Sequence, residues 1–139
     1  MENPADYYTL TNEQGGNDPE AYRNLIAYER ELMRLANADG FKVCVLNLAG
    51  GSPGDLTLWQ EEIAPFIKEA WAADNIYGRH VYGGNLVDAG GHVLSGQPSR
   101  PIEESSWLNS QGHHGGLAIT ECGLDGGVNF AGIEQLRAR

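Results

Sequence analysis

The sequence predicts an α/β fold, namely a partial (half) TIM barrel of about four parallel βα units in one domain covering residues 1–139. Apolar strand patterns alternate with helical patterns, which favours right-handed crossovers and a parallel sheet. The predicted strand ends recur near residues 13, 47, 80 and 121, a near-regular period typical of βα units. A complete barrel takes about 250 residues, so this chain corresponds to about half of one. A small open doubly wound sheet is the alternative.

The first half of the chain supplies two strands and two helices. Residues 8–14 alternate with period two and predict a short strand. Asp18-Pro19, a capping carboxylate before a proline, begins a helix that Asp39-Gly40 ends. Residues 43–48 are nearly continuously apolar, as in a strand that is covered on both faces. A second helix follows, and Pro65 is expected to kink or split it.

The second half continues the alternation. Residues 75–84 predict a third strand. Residues 84–101 are rich in Gly, Ser and Pro and predict a long loop, with a short helix after Pro101. Residues 115–123 predict a fourth strand, and residues 129–139 begin a last helix.

The composition excludes several classes of partner. The 19 acidic and 9 basic residues give a net charge of −10, which argues against nucleic acid and against anionic membranes. No apolar stretch approaches the roughly 20 residues that a bilayer-spanning helix needs. The first residues have neither a basic start nor an apolar run, so no signal peptide is expected and a cytoplasmic location is the default.

Polar side chains end each of the four predicted strands: Asn12 and Glu13, Asn47, His80 and Tyr82, and Glu121. In parallel α/β folds the carboxyl ends of the strands lie on one face, and that face binds the ligand. Carboxylates at the first and last strand ends are therefore expected to meet across a cleft.

Two facing carboxylates are the machinery of glycoside hydrolysis, in which one is the acid/base and the other attacks the anomeric carbon or activates water. Glu13 and Glu121 are the candidate catalytic pair, with a carbohydrate as substrate. Asn12 and Asn47 are candidate substrate-binding residues, because amides hold sugar hydroxyl groups. His80 and Tyr82 are further candidates, and a Tyr82 hydroxyl that donates a hydrogen bond would keep a nucleophile ionised.

The strand-end motifs "TNEQ", "HVYGG" and "ITECGLDGG" resemble those of the retaining (β/α)8-barrel glycoside hydrolases of the cellulase-like clan. The resemblance implies that Glu13 is the acid/base and Glu121 the nucleophile. It also implies that Asn12 binds the sugar, with His80 and Tyr82 in support. It covers strands four to seven only. An Arg from an early strand and a Trp from the last strand, usual in that sugar site, have no counterpart here.

Two positions depart from the pattern of that clan. Gln14 stands where a Pro is usual, and Cys122 stands where an aromatic residue is usual. The alternative is a non-catalytic, truncated barrel fragment that binds a glycan or a partner chain. Four parallel strands leave two open edges, so a homodimer or a complementing barrel half is expected. A flavodoxin-like module is disfavoured, because the acidic first loop "NEQGGND" is unsuited to phosphate.

No cofactor and no metal site is expected. His113 and His114 are adjacent and would point to opposite sides of a strand, and His92 lies in the same Gly-rich region. Neither a Cys pair nor a His-x-x-x-His spacing accompanies them. Cys44 and Cys122 are expected to be reduced, mostly buried thiols.

The tryptophan side chains are candidate platforms for a sugar ring. Trp59 and Trp71 lie on the apolar stripe of the second helix and are expected to pack in the core. Trp107 lies near the long loop and is the better candidate for substrate binding.

Overall fold

A computed structural model describes residues 5–13, 15–82 and 100–123. The four strands are β1 (Tyr8–Thr9), β2 (Val43–Leu48), β3 (Ile76–Tyr82) and β4 (Leu117–Gly123). The helices are α1 (Pro19–Ala38), α2 (Leu56–Leu58), a π-helical turn (Trp59–Ile63), α3 (Ala64–Ala72) and α4 (Arg100–Ser110).

The strands form one curled sheet in the order β1-β2-β3-β4, and every neighbouring pair is parallel. A doubly wound sheet would reverse its strand order at a switch point, whereas sequential order with helices between the strands is the arrangement of a barrel. The partial-barrel prediction is confirmed, and the doubly wound alternative is wrong.

The element boundaries follow the sequence signals closely. Asp18 caps α1, and its side chain accepts a hydrogen bond of 3.0 Å from the backbone N–H of Glu20. The second predicted helix is split as expected: a π-helical turn precedes α3, and Pro65 lies in the first turn of α3, where its missing N–H costs nothing.

The first strand is shorter than predicted. β1 pairs with β2 only through Tyr8 and Thr9, although the N–H of Leu10 still donates to the carbonyl of Cys44 at 3.3 Å. Glu13 therefore lies in the loop after the strand. Gln14, most of the loop predicted at residues 84–101, with His92, and the helix predicted at residues 129–139 lie outside the described ranges.

The core lies between the sheet and the helices. All six residues of β2 are buried, as its continuous apolar pattern predicts. Trp59 is fully buried and Trp71 is partly buried against the core, so both pack as expected. Both cysteines are free; Cys44 is buried as predicted, but Cys122 on the outer strand β4 is exposed.

Among the described helices, none combines the length and the apolar character that crossing a membrane requires.

Candidate active site

The carboxyl ends of the strands bring together side chains from three separate segments. One ligand atom each from Glu13, His80 and Glu121 lies within 4.8 Å of the others. Because the strands are parallel and sequential, the loop after β1 and the ends of β3 and β4 open on the same face. The predicted meeting of Glu13 and Glu121 is therefore present, although they are 108 positions apart in the sequence.

His80 lies between the two carboxylates. Its Nδ1 is 3.4 Å from Oε1 of Glu13, and its Nε2 is 3.6 Å from Oε1 of Glu121. The imidazole is completely buried, whereas the side chains of Glu13 and Glu121 are 55% and 42% exposed. The arrangement is a fixed ring flanked by two carboxylates that solvent or a ligand can reach.

Tyr82 completes the cluster on the side of Glu121. Its hydroxyl donates a short hydrogen bond to Oε2 of Glu121, and this bond is the main reason why the pKa of Tyr82 is raised to about 12. The Tyr82 ring also meets the His80 ring edge to face, with centroids 5.9 Å apart. Tyr82 therefore stays protonated at neutral pH and donates its hydroxyl proton to the carboxylate of Glu121.

The two predicted amides form a pair beside the carboxylates. Asn47 Nδ2 donates to Oδ1 of Asn12 at 2.9 Å, and the hydroxyl of Thr120 donates to Oδ1 of Asn47. These bonds connect the loop after β1, strand β2 and strand β4. The cleft next to them is lined by residues 9–12, Asn47, Thr120 and Glu121, so its polar groups are hydroxyls, amides and one carboxylate.

Two β-bulges, one in β4 and one in β2, determine which side chains line this cleft. In β4, Ile119 pairs with Arg79 and Glu121 pairs with His80, which leaves Thr120 as the extra residue. The phase of the strand shifts there, so Thr120 and Glu121 both line the cleft, while Ile119 lines a separate groove beside α4. Without the bulge, strict alternation would place Glu121 on the same face as Ile119.

The second bulge lies in β2. Its register shifts between Val45 and Leu48, and Leu46 and Asn47 have φ angles of 71° and 37°, in the left-handed region. Gly78 on the neighbouring strand β3 has no side chain, so the bulge of β2 packs directly against the β3 backbone. A Cβ atom there would lie 2.9 Å from Oδ1 of Asn47 and 2.6 Å from Sγ of Cys44.

Glu29 of α1 stabilises this bulge through a hydrogen bond to its backbone. Its side chain is fully buried, accepts a hydrogen bond of 2.6 Å from the N–H of Leu46 and accepts a short bond from the Thr11 hydroxyl. Burial raises its pKa, although both hydrogen bonds act in the opposite direction. Glu29 thus ties the segment before Asn12 to the bulge that carries Asn47.

Sequence reasoning missed Glu29, Thr120 and Gly78. A signal for Glu29 was present, because it occupies a core position on the buried stripe of α1 that comprises Tyr22, Ile26, Glu29 and Met33. A carboxylate in an apolar stripe requires a buried partner. The roles of Thr120 and Gly78 depend on the bulges, which no period in the sequence shows.

Other candidates lie elsewhere. Trp107 belongs to α4, where its ring meets Trp59 with centroids 5.7 Å apart and lies under the Lys68 ammonium at 5.0 Å. The structure thus places it in the helical layer and does not bring it to the carboxylates; its role as a sugar platform stays a prediction. His113 and His114 are exposed, and His114 Nδ1 lies 2.8 Å from the amide oxygen of Asn109.

Comparison of the chain with protein-family models, with curated proteins and with solved structures gave no match.

Proposed function

We propose that the chain is a glycoside-hydrolase-like protein that hydrolyses O-glycosidic bonds by a retaining mechanism with two carboxylates. The observation that carries the proposal is the pair Glu13 and Glu121, which have carboxylate oxygens within 4.8 Å of each other. Retaining enzymes hold their carboxyl groups about 5–5.5 Å apart, whereas inverting enzymes need about 6.5–9.5 Å to admit a water molecule. The short separation supports retention.

The environments of the two carboxylates support different roles. Glu121 accepts the hydrogen bond from Tyr82, which holds one carboxylate oxygen in place and leaves the other available to act as the nucleophile. Glu13 lies on the loop after β1, on the other side of His80, where an acid/base has access to the leaving group. In this mechanism Glu121 attacks the anomeric carbon while Glu13 protonates the departing oxygen. Glu13 then deprotonates the water that releases the sugar.

The neighbouring cleft supports a carbohydrate as the substrate. Asn12, Asn47 and Thr120 present amide and hydroxyl groups within one hydrogen-bonded array. Such groups both donate and accept hydrogen bonds, as the hydroxyls of a sugar require.

A panel of nitrophenyl glycosides tests the proposal. We expect the chain to release nitrophenol from at least one glycoside, with retention of the anomeric configuration in the first product seen by NMR. Glu121→Gln should lower turnover at least about 10³-fold. Glu61→Gln, which changes an exposed carboxylate on the π-helical turn, should leave it unchanged. Hydrolysis of none of the glycosides, or an inverted product, would contradict the proposal.

A second candidate function is glycan binding without turnover. It is favoured by the exposure of both carboxylates, since the side chains of Glu13 and Glu121 are 55% and 42% exposed. Calorimetric titration with oligosaccharides separates the two candidates: a binder gives affinity that Asn47→Ala abolishes, while the wild-type chain leaves every glycoside intact.

A further inference from the structure

The three side chains at the centre of the site also form a set of metal ligands. We propose that Glu13, His80 and Glu121 bind one divalent first-row transition-metal ion, of which Zn²⁺ is the probe. This proposal is independent of glycoside hydrolysis, because it needs only the positions of the three side chains.

The spacing of the ligand atoms is close to that of a metal site. Metal–ligand bonds of about 2.0–2.2 Å in a tetrahedral site place the ligand atoms about 3.4 Å apart. Nδ1 of His80 lies 3.4 Å from Glu13 and Nε2 lies 3.6 Å from Glu121, so either nitrogen has one carboxylate at about this distance. One ligand atom from each of the three residues lies within 4.8 Å of the others. Both carboxylates are partly exposed and able to close in, while the buried imidazole is fixed.

An independent observation is that the buried ring nitrogens of His80 lack hydrogen-bond partners among the described residues. Within the described residues, neither ring nitrogen has a hydrogen-bond partner of good geometry, although the side chain is completely buried. Buried polar atoms nearly always have a partner, so such an exception requires an explanation. A metal ion on one nitrogen provides it. The ion accounts for the nitrogen that it binds, and Glu13 and Glu121 supply its other two ligands.

The chemistry of the ligands selects the class of ion. One imidazole nitrogen and two carboxylate oxygens suit Zn²⁺, Mn²⁺ or Fe²⁺, whereas Ca²⁺ and Mg²⁺ prefer oxygen-only shells. Two carboxylates with a neutral imidazole also balance the charge of a divalent ion. The open cleft beside Glu121 leaves room for a water ligand in the fourth position.

A metal ion at this position has a consequence for the proposed hydrolysis. It would occupy the oxygen lone pairs that Glu13 and Glu121 use in catalysis, so metal and glycan would compete. Zn²⁺ should therefore inhibit turnover, and this part of the proposal rests on the proposed function.

Calorimetric titration of the full chain with ZnCl₂ tests the metal site. The titration uses a Cys122→Ser background, because Cys122 is exposed next to Glu121 and thiolates bind zinc. We expect one ion per chain. Glu13→Gln and Glu121→Gln should each weaken binding at least about 10-fold. Both carboxylates are partly exposed, so these variants should fold, and circular dichroism checks that they do.

Two control variants define the site. Glu61→Gln and His114→Ala change exposed side chains outside the cluster and should leave Zn²⁺ affinity unchanged. Absence of Zn²⁺ binding, or binding that survives both glutamine changes, would overturn the proposal. Binding lost with His114→Ala would also overturn it, because the ion would then occupy the adjacent histidines. Glycosidase activity measured in a chelator tests the proposed function separately.

Discussion

The guanidinium group of Arg79 lies 3.1 Å from the carboxylate of Glu104, and both side chains are completely buried. Tyr77 donates to the other oxygen of Glu104 at 3.0 Å, and Arg79 donates to the carbonyl of Ser52 at 2.7 Å. Since side chains alternate along a strand, β3 presents Tyr77 and Arg79 to α4 on one face and His80 to the cleft on the other. The ion pair behind the sheet therefore fixes the strand that carries the buried imidazole.

Breaking this ion pair should be strongly destabilising. At pH 8, above the pKa of about 7 of Glu104, Arg79→Met leaves the carboxylate of Glu104 buried without its cation. Losing one partner of a buried pair costs about 3–5 kcal/mol. The control is Arg23→Met, which removes a pair with Glu62 whose Arg23 side chain is 61% exposed. Solvent screens this exposed pair, so the control should change the free energy of unfolding much less than Arg79→Met. Urea unfolding measures both changes in the free energy of unfolding.

A double variant separates the unpaired charge from the lost contacts. Arg79→Met combined with Glu104→Leu leaves neither charge behind, so its loss of stability should be smaller than the sum of the two single losses. Additive losses would show that the charges are not coupled.

The stability of the chain should fall as the pH rises from 5 to 8. Burial raises the pKa of Glu104 from 4.5 to about 7, although Arg79 acts in the opposite direction. The unfolded chain then releases this proton at lower pH than the folded chain. The stabilisation is present in full below pH 4.5 and is lost as the pH passes about 7, by up to about 3 kcal/mol.

Urea unfolding across this pH range measures the slope. Glu104→Gln cannot titrate and should flatten the slope between pH 5 and 7, whatever its absolute stability. Glu61→Gln changes an exposed carboxylate that does not act on Glu104 and should preserve the slope. If the free energy of unfolding changed equally with pH in the wild-type chain and in Glu104→Gln, the titration of Glu104 would be excluded as the cause.

Much of the fold was predictable because the local signals agree with one another. The apolar run of β2 and the Asp18-Pro19 start of α1 each match the structure within a residue. The pairing of Glu13 with Glu121 was also predictable, because polar strand ends in a parallel sheet share one face. These inferences require only the periodicity of apolar residues, the capping residues of the helices and the parallel direction of the strands.

The remaining features depend on contacts that no local pattern contains. The bulge at Thr120 turns Glu121 toward the cleft, and it arises from pairing with β3 rather than from the β4 sequence. Arg79 lies in a strand that reads as buried, but its partner Glu104 is 25 positions away and meets it only after folding. The sequence did show that Arg79 is a charged residue within an apolar pattern, and such a residue requires a buried partner.

Gly78→Ala should disturb the site by overpacking. The new methyl group would lie 2.6 Å from Sγ of Cys44 and 2.9 Å from Oδ1 of Asn47, so Asn47 or the bulge must shift. The expected cost is about 1–3 kcal/mol, together with weaker glycan binding. Gly54→Ala is the matched control, since its nearest neighbour would be Asn17 at an ordinary 3.5 Å. Thermal unfolding and glycan titration measure the two effects, and equal behaviour of both variants would refute the steric argument.

The open edges of the sheet lead to a prediction about assembly. Within the described ranges, β1 pairs only with β2 and β4 only with β3, and Tyr8 and Ile119 on these strands are 41% and 45% exposed. We propose that a second copy of the chain closes the barrel. A two-fold axis along the barrel would place β4 of each copy beside β1 of the other and keep all strands parallel.

A change at the free edge of β1 tests this assembly. The N–H groups of Tyr8 and Leu10 bond to β2, so the N–H of Thr9 points to the open edge. Thr9→Pro removes that donor and should convert the dimer to a monomer, whereas Thr9→Val keeps it and should remain dimeric. Light scattering measures the mass, and a monomeric wild-type chain would exclude the dimer.

The last prediction distinguishes the two carboxylates by their response to the leaving group. Glu121→Gln should abolish turnover of every glycoside, because no covalent intermediate forms without the nucleophile. Glu13→Gln should impair substrates with poor leaving groups most, since an activated aryl group departs without protonation. In that variant the glycosyl-enzyme still forms but lacks a base to activate water, so added azide should restore turnover by attacking the intermediate directly. Nitrophenol release across a series of aryl glycosides, with and without azide, measures this division of roles. Equal losses in both variants across the series, with no effect of azide on either, would show that Glu13 and Glu121 do not act as acid/base and nucleophile.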